Sequence, residues 1–338
     1  MSSAAVGDVM PAGTGWKSGS HLERVLAAGH FAVTAELGPP RSWNAEAVKK
    51  KIGLLKGSVD AANVTDNQTA IVRMSSIATA LLMLPEGLEP IIQMTCRDRN
   101  RIAIQSDLLG AAAHGLRNLL CLSGDHQSFG DHPAAKNVYD IDSIQLVGTV
   151  KAMRDQGKFQ SGADIKGGGP PFFIGAAASP FAHPLSMRPY RLGKKVRAGA
   201  DFIQTQLVYD VDGFAAFMKK VVDLGFAEQT YILAGVGPLR SPAMARHLRD
   251  NVPGVTVPDA LVERIEDAAK GIDENDKEAR RNAWQAEGQR ICVELIERLR
   301  EVPGVAGVHI MAIEWEQAVR PIVEAAGLLP RPLTDAPT

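Results

Sequence analysis

The sequence has few cysteines, almost no net charge and no long apolar run. Its three cysteines, Cys96, Cys121 and Cys292, are far apart, which excludes a disulfide framework and any CxxC zinc knuckle within this chain. The 37 lysines and arginines nearly balance the 38 aspartates and glutamates, so the formal net charge is −1 over 338 residues. Charge therefore gives no reason to expect nucleic acid or an anionic membrane as a partner. No stretch reaches the ~18 apolar residues of a membrane span, and we expect a cytoplasmic protein.

Two nucleotide-binding motifs are also missing. No GxxxxGK[ST] exists, which excludes a P-loop. A dinucleotide-binding sheet carries GxGxxG after its first strand, whereas here the first predicted strand runs into LGPPR at 37–41. The segment GVGPLR at 235–240 has two glycines but no third, and we interpret it as a tight turn.

The two ends of the chain differ in composition from the middle. Residues 1–20 are rich in Gly, Ser and Ala but lack a basic start followed by an apolar stretch, so they predict a flexible tail and not a signal peptide. Residues 331–338 are interpreted as a C-terminal tail. The predicted folded domain is 21–330.

Short apolar runs alternate with amphipathic ones throughout this domain. Eight β-then-α units predict a (β/α)8 TIM barrel of the α/β class, a single domain with extra C-terminal helices, in preference to a doubly wound open sheet. Helical patterns are predicted at 44–56, 74–84, 101–114, 143–154, 188–197, 211–224, 242–249, 277–300 and 316–326. The predicted strands are 31–37, 61–65, 90–95, 118–122, 172–178, 202–208, 230–236 and 308–313.

Polar residues stand at the ends of these strands, where barrel active sites lie. Glu36 in VTAEL and Gln206 in IQTQLV still have apolar neighbours. A carboxyl group in such surroundings has a raised pKa and can donate a proton near neutrality. The alternative for Glu36 is a structural acid paired with Arg41 or another cation, and the pattern alone does not decide between the two. Other predicted strand ends are Thr65-Asp66, Thr95, Ser123 to Asp125, Ser179 and Glu314.

The loop after the fourth predicted strand, CLSGDH at 121–126, allows three interpretations. Gly-Asp is common turn chemistry, and the glycine also lets a flat ligand approach the backbone. Asp125, His126, Asp131 and His132 together have the side chains of a metal site. All four lie in one loop, whereas barrel metal sites draw ligands from several strands, so we expect solvated histidines and no metal.

A basic run follows the fifth predicted strand. Arg188, Arg191 and Lys195 are spaced i, i+3, i+7 and share one stripe of a helix. Near the barrel mouth such a stripe can hold a phosphate. From the sequence alone a solvated helix face is favoured.

Six segments in order resemble the 5,10-methylenetetrahydrofolate reductase family, over nearly the whole chain from residue 31. The likeness is closest to the short, barrel-only reductases of the acetogenic type, and the family is a (β/α)8 barrel. The segments are TAELGPPR (34–41), NVTDN (63–67), IQMTCRDRNR (92–101), LCLSGDH (120–126), KNVYDIDSIQL (136–146) and GADFIQTQLVYD (199–210).

This resemblance implies an enzyme that carries FAD and moves a hydride between the flavin and the one-carbon unit of a folate. It would interconvert 5,10-methylenetetrahydrofolate and 5-methyltetrahydrofolate in one-carbon metabolism. Glu36 matches the family's general acid, Asp125 the carboxylate that stabilises a cationic iminium, and Gln206 the amide that hydrogen-bonds the pterin.

The resemblance also implies a set of flavin contacts. Gln93, Ser123 and Ser179 stand where many bacterial relatives have His, Arg and Tyr, which weakens the case for tight FAD binding, although the acetogenic type shares these departures. The implied contacts are Thr65, Gln93, Ser123, Gly124, Asp125, Tyr139, Asp140, Ser179, His183, Arg191 and Lys195.

Partners and rival functions stay open at this point. The electron donor or acceptor is NADH directly or a smaller cysteine-rich, zinc-binding partner subunit, and the physiological direction is undetermined. We expect the protein to be a homo-oligomer rather than a monomer. Rival functions are a corrinoid methyltransferase using methyltetrahydrofolate, a flavin-free NADH-dependent reductase, and a non-catalytic folate-holding subunit, against which Glu36 argues.

Overall fold

Eight parallel strands pair in chain order and close into a barrel in the computed structural model, which describes residues 15–334. β8 pairs with β1, so no strand edge is left open. The predicted (β/α)8 fold is confirmed. The strands are β1 Ala32–Leu37, β2 Ala61–Val64, β3 Pro90–Thr95, β4 Asn118–Leu122, β5 Phe173–Ala178, β6 Phe202–Leu207, β7 Tyr231–Val236 and β8 Val305–Ile310.

Helices surround the barrel and cover its outer face with a continuous apolar layer. In the described part of the chain, no helix is both long and apolar enough to cross a membrane. The helices are α1 His21–Ala27, α2 Ala45–Leu55, α3 Ser76–Met83, α4 Arg101–Ala113, α5 Ser143–Gln156, α6 Arg188–Ala198, α7 Val211–Asp223, α8 Pro242–Asn251, α9 Asp259–Asp267, α10 Lys277–Arg300 and α11 Val319–Ala325.

Several helix boundaries follow from local chemistry. Asn44 and Asp210 cap α2 and α7, each with a side-chain oxygen that accepts from a backbone N–H of the first turn. Glycines with φ of +78°, +85° and +70° stand just past α2, α4 and α7, where a left-handed residue is needed; they are Gly57, Gly115 and Gly225.

The eighth strand begins three residues earlier than the sequence predicts. β8 is Val305–Ile310, not 308–313. Its Gly307 pairs with Ala32, and a Cβ at Gly307 would lie 2.4 Å from the Ala32 carbonyl oxygen, so this close pairing depends on a glycine. Glu314, predicted at the strand end, therefore lies in the following loop at φ +52°. The apolar character of 311–313 belongs to that loop.

A short helix absent from the prediction closes the opposite end of the barrel. In α1, Leu22, Val25 and Leu26 are buried against the first inward layer of strand side chains, including the stacked rings of Phe173 and Phe202. The site described below must therefore open at the other end.

The described parts of the two predicted tails, 1–20 and 331–338, are hydrogen-bonded to the barrel; the remainder lies outside residues 15–334. Lys17 and Arg331 donate to buried aspartates that precede β6 and β2, with N–O distances of 2.5 and 2.6 Å.

Candidate active site

The carboxyl ends of the strands surround a cavity of about 880 Å³. Ten of the thirteen residues that the sequence nominates line it. They come from six successive β-α units, as the rule for barrel active sites expects. These residues are Glu36, Thr65, Gln93, Ser123, Gly124, Asp125, Ser179, Arg191, Lys195 and Gln206.

Glu36, near the end of β1, is half-buried in this cavity, and its Oε1 accepts a hydrogen bond of 3.2 Å from Gln68 Nε2. Burial, with a smaller contribution from the nearby Glu316, raises the pKa of Glu36 to about 7, against the opposing hydrogen bond from Gln68. The alternative of an ion pair with Arg41 or another cation is wrong, because Arg41 binds Asp131 at 2.5 Å and no cation within residues 15–334 forms a salt bridge with Glu36.

The cations nearest Glu36 are already engaged by other carboxylates. Lys51 binds the buried Glu316 at 2.5 Å, and Arg73 lies 3.8 Å from Glu314. Each lowers the pKa of Glu36 less than burial raises it. The site therefore holds a carboxyl group that is partly protonated near pH 7.

Asp125 lies exposed at the mouth, and its Oδ2 accepts from the Thr69 N–H at 3.2 Å. Thr69 belongs to residues 67–70, which we call the strap. Within it Asn67, Thr69 and Ala70 have φ of +47°, +56° and +55°, conformations that cost free energy for residues other than glycine. The strap thus contacts both carboxylates, Glu36 through Gln68 and Asp125 through Thr69.

Gln206 on β6 presents an amide to the same cavity. Its Oε1 accepts from the Leu207 N–H at 3.0 Å. Its Nε2 has no hydrogen-bond partner within residues 15–334 and can donate to a ligand.

A buried polar layer lies beneath these groups and was not predicted. Gln204 hydrogen-bonds Asn63 at 2.6 Å and Thr34 at 3.1 Å, and Thr34 contacts the His309 ring at 3.0 Å. Burial lowers the pKa of His309 to about 3, so its ring is neutral. Strand periodicity carries the signal that would have found the layer, because Thr34, Asn63 and Gln204 each precede a nominated residue by two positions.

The basic stripe of α6 forms another wall of the cavity. Arg188, Arg191 and Lys195 all line it, although Arg191 is exposed, whereas the exposed Lys194 and Arg197 do not. The favoured interpretation as a solvated face is therefore wrong for Lys195, which is buried. Burial, and then the charge of Arg191, lowers the pKa of Lys195 to about 8, and its Nζ donates to the Ala177 carbonyl.

Three nominated residues do not line the cavity. Tyr139 is 40% exposed, and its hydroxyl donates to the Gly124 carbonyl at 3.4 Å. Asp140 is bound by Arg101 at 2.7 Å, which lowers its pKa to about 2. His183 precedes a cis proline outside the cavity. All three lie in loops, where strand periodicity does not fix the direction of a side chain. The sequence therefore could not show that they lie outside the cavity.

The aspartates and histidines of the loop at 125–132 contact other groups of the protein. The Asp131 carboxylate binds Arg41 and contacts His132 at 2.9 Å, while His126 contacts Ser128 at 2.9 Å. Across residues 15–334 no three His, Cys, Asp or Glu side chains are grouped to hold a metal ion.

Residues 21–327 match the family model for methylenetetrahydrofolate reductase. The chain belongs to the methylenetetrahydrofolate reductase family.

Curated relatives of this family cover most of the chain. A probable methylenetetrahydrofolate reductase (NADPH) of Caenorhabditis elegans is 25% identical over 78% of this chain and 36% of its own length. Methylenetetrahydrofolate reductase 2 of Schizosaccharomyces pombe is 29% identical over 70% of this chain, again 36% of its own length. This chain thus spans about a third of these two proteins. The 5,10-methylenetetrahydrofolate reductase of Salmonella typhimurium is 25% identical over 72% of each chain.

Among solved structures, a Clostridium thermocellum protein described as binding two copies of 5-methyl-5,6,7,8-tetrahydrofolic acid matches with a TM-score of 0.56. The match covers 89% of this chain and 97% of that one at 15% identity. Likeness at this level shows the fold alone, and the fold agrees with the barrel described above.

Proposed function

We propose that this chain is a flavin-dependent methylenetetrahydrofolate reductase, which interconverts 5,10-methylenetetrahydrofolate and 5-methyltetrahydrofolate. The observation that carries the proposal is Glu36, a carboxyl group in the barrel cavity with a pKa raised to about 7. Such a group is suited to protonating a substrate nitrogen at neutral pH. Family membership supplies the reaction class.

The residues of the cavity fit a flavin dinucleotide. Arg188, Arg191 and Lys195 form a cationic wall suited to a diphosphate. The Thr65 hydroxyl is buried at the cavity and has no partner among the described residues, so it is left for a ligand. Gln93 adds a neutral amide. Bound FAD would accept or donate the hydride.

The carboxylates and the amide then have separate tasks. The Glu36 carboxyl donates its proton to a nitrogen of the folate five-membered ring, and the C–N bond opens to an iminium cation. The Asp125 carboxylate stabilises this cation by its negative charge. The free amide N–H of Gln206 donates to the pterin and fixes its orientation.

Several finer features belong to the same proposal. We expect the chain to resemble the short acetogenic-type reductases, to be cytoplasmic and homo-oligomeric, and to exchange electrons with NADH or a cysteine-rich, zinc-binding subunit. Neutral side chains at Gln93, Ser123 and Ser179 favour weak flavin binding, and they make a flavin-free, NADH-dependent reductase the second candidate.

The deciding experiment is an absorbance spectrum of the purified protein before and after anaerobic addition of 5-methyltetrahydrofolate. Flavin bands that bleach on addition would establish cofactor, substrate and hydride transfer together. Bands that persist would contradict the folate as substrate. If no bands appear even after FAD is supplied, the flavin-free reductase and the corrinoid methyltransferase become the leading functions.

Glu36→Gln tests the acid. We expect folate turnover to fall by ~10²–10⁴-fold, the range for a general acid, while flavin reduction by an artificial donor persists. Glu228→Gln is the matched control, because Glu228 is exposed in the loop before β7, at the opposite end of the barrel. Equal loss of both half-reactions in Glu36→Gln would contradict its role as proton donor.

A further inference from the structure

A second, much smaller cavity adjoins Glu36, and we call it the back cavity. Its volume is about 10 Å³, close to the space that one water molecule needs. Glu36 and Gln68 line both this cavity and the active-site cavity, so a proton can reach the Glu36 carboxyl without crossing the active site. The rest of its lining is Gly38, Lys51, Arg73, residues 312–314 and Glu316.

Each folate reduction would consume one proton at Glu36. In the proposed reaction the breaking C–N bond leaves its electron pair on nitrogen, that nitrogen takes the Glu36 proton, and carbon receives the hydride. Glu36 is then ionised and must recover a proton from solvent before the next turnover. Folate and flavin together would fill the active-site cavity and exclude water from it. A route through the back cavity lets the acid recover while both ligands stay bound.

Only one other charged group of the back cavity is placed to exchange protons with solvent. The Glu316 carboxylate is buried and bound by Lys51 at 2.5 Å. Arg73 cannot be deprotonated, so it serves as a fixed cation. Glu314 has a side chain that is 67% exposed, and its salt bridge to Arg73 is long, at 3.8 Å. Its carboxylate therefore connects the back cavity with solvent.

We infer that a water molecule in the back cavity carries protons between Glu314 and Glu36, and that Glu314 exchanges these protons with solvent. This inference rests on the proposed function, because Glu36 needs a new proton only if it gives one to the folate. The water accepts a proton from the Glu314 carboxyl and donates one to the Glu36 carboxylate, so one O–H bond breaks and one forms. Glu314 does not line the active-site cavity and acts only through Glu36.

Glu314→Gln tests this relay, because it keeps the shape of the side chain but cannot pass on a proton. We expect kcat for folate reduction to fall about tenfold, less than the ~10²–10⁴-fold expected for the acid itself. The Kd of 5-methyltetrahydrofolate, measured by calorimetry, and flavin reduction by an artificial donor should not change. Glu46→Gln is the matched control, because Glu46 is 75% exposed, pairs with Lys49 at 2.9 Å and lines neither cavity.

Two further variants separate the proton route from a structural role of Glu314. Glu314→Ala vacates the space of the carboxylate, so added formate should restore kcat, while chloride at the same ionic strength should not. Apart from its chain neighbours, a Cβ at Gly38 would lie no closer to any atom than 3.9 Å, from Lys51 Nζ. Gly38→Ala therefore fits, and its methyl group should displace the water and lower kcat in a way that formate does not restore.

The outcomes separate this inference from the proposed function. No folate turnover by the unmodified protein would overturn the reductase and the relay together. Normal turnover in Glu314→Gln would overturn the relay and leave the reductase intact. An equal loss in Glu46→Gln would indicate general electrostatics, and a loss in Glu314→Ala that formate does not restore would indicate a structural role. Either result would overturn the relay.

Discussion

Glu36 has neighbours that act on its proton in opposite directions. Burial and the charge of Glu316 raise the pKa, while the Gln68 hydrogen bond and the more distant Lys51 and Arg73 lower it. The balance leaves the pKa near 7. An acid whose pKa lies near 7 can release a proton and take one up again within one turnover. Both directions of the proposed reaction require this.

Gln68→Leu tests this balance. The amide of Gln68 stabilises the ionised form of Glu36 through a hydrogen bond of 3.2 Å, so its loss should raise the pKa of Glu36 further. Folate reduction needs the protonated acid and should decline as pH rises through that pKa. We therefore expect this decline in kcat/KM to move to higher pH in Gln68→Leu.

The matched control is Gln229→Leu, because Gln229 is exposed and its amide donates only to the Gly225 carbonyl at 2.7 Å, near the opposite end of the barrel. Its pH profile should coincide with that of the unmodified protein. A profile of Gln68→Leu that stays in place or moves to lower pH would show that Gln68 does not hold the ionised carboxylate.

The sequence predicts the strand residues of the site better than its loop residues. Glu36 and Gln206 stand out because strand periodicity and the barrel rule both fix where they lie. Gln68 lies beside a recognised motif but was not nominated. Its contact depends on left-handed backbone at Asn67, Thr69 and Ala70. Asn often adopts this conformation, but Thr and Ala give no sign of it in the sequence.

At the scale of elements, the prediction fails where hydrophobicity alone is a poor guide. β8 begins with Val305 and passes through Gly307, so its apolar signal is weaker than that of the loop after it. α1 has only seven residues and α9 only nine, and the sequence analysis predicts no helix at either position. Both are stabilised by tertiary packing more than by local propensity.

Leu22→Ala tests the closure of the barrel by α1. Leu22 is fully buried against the lower strand layer, so its truncation leaves a cavity there. We expect the free energy of unfolding to fall by about 2–5 kcal/mol, measured by urea denaturation. Leu333→Ala is the control, because Leu333 is 99% exposed. Similar stability of the two variants would mean that α1 packs loosely on the barrel.

At the scale of the whole molecule, the fold places carboxylates and cations on different sides of the cavity opening. Glu36 on β1 and Asp125 after β4 supply the carboxylates, while α6 supplies cations through Arg191 and Lys195. Eight repeats of one unit made the barrel predictable. The face of α6 that lines the cavity could not be predicted, because a basic stripe has the same sequence whether it faces solvent or a ligand.

This division of charge predicts how the molecule discriminates among flavins. Lys195→Met preserves the bulk of the side chain but removes a cation that is only 8% exposed in the cavity wall. FAD affinity should fall about 10–100-fold, the value of a charge-assisted contact, while riboflavin, which lacks phosphate, should bind unchanged. Both Kd values are measured by quenching of flavin fluorescence.

The pH dependence gives an independent check on the same cation. Burial lowers the pKa of Lys195 to about 8, so the free protein carries this charge below pH 8 and loses it above. FAD affinity should therefore decline between pH 7 and 9 in the unmodified protein and in Lys194→Met, whose lysine is exposed, but not in Lys195→Met. A parallel decline in all three proteins, or equal weakening of riboflavin, would place the diphosphate away from Lys195.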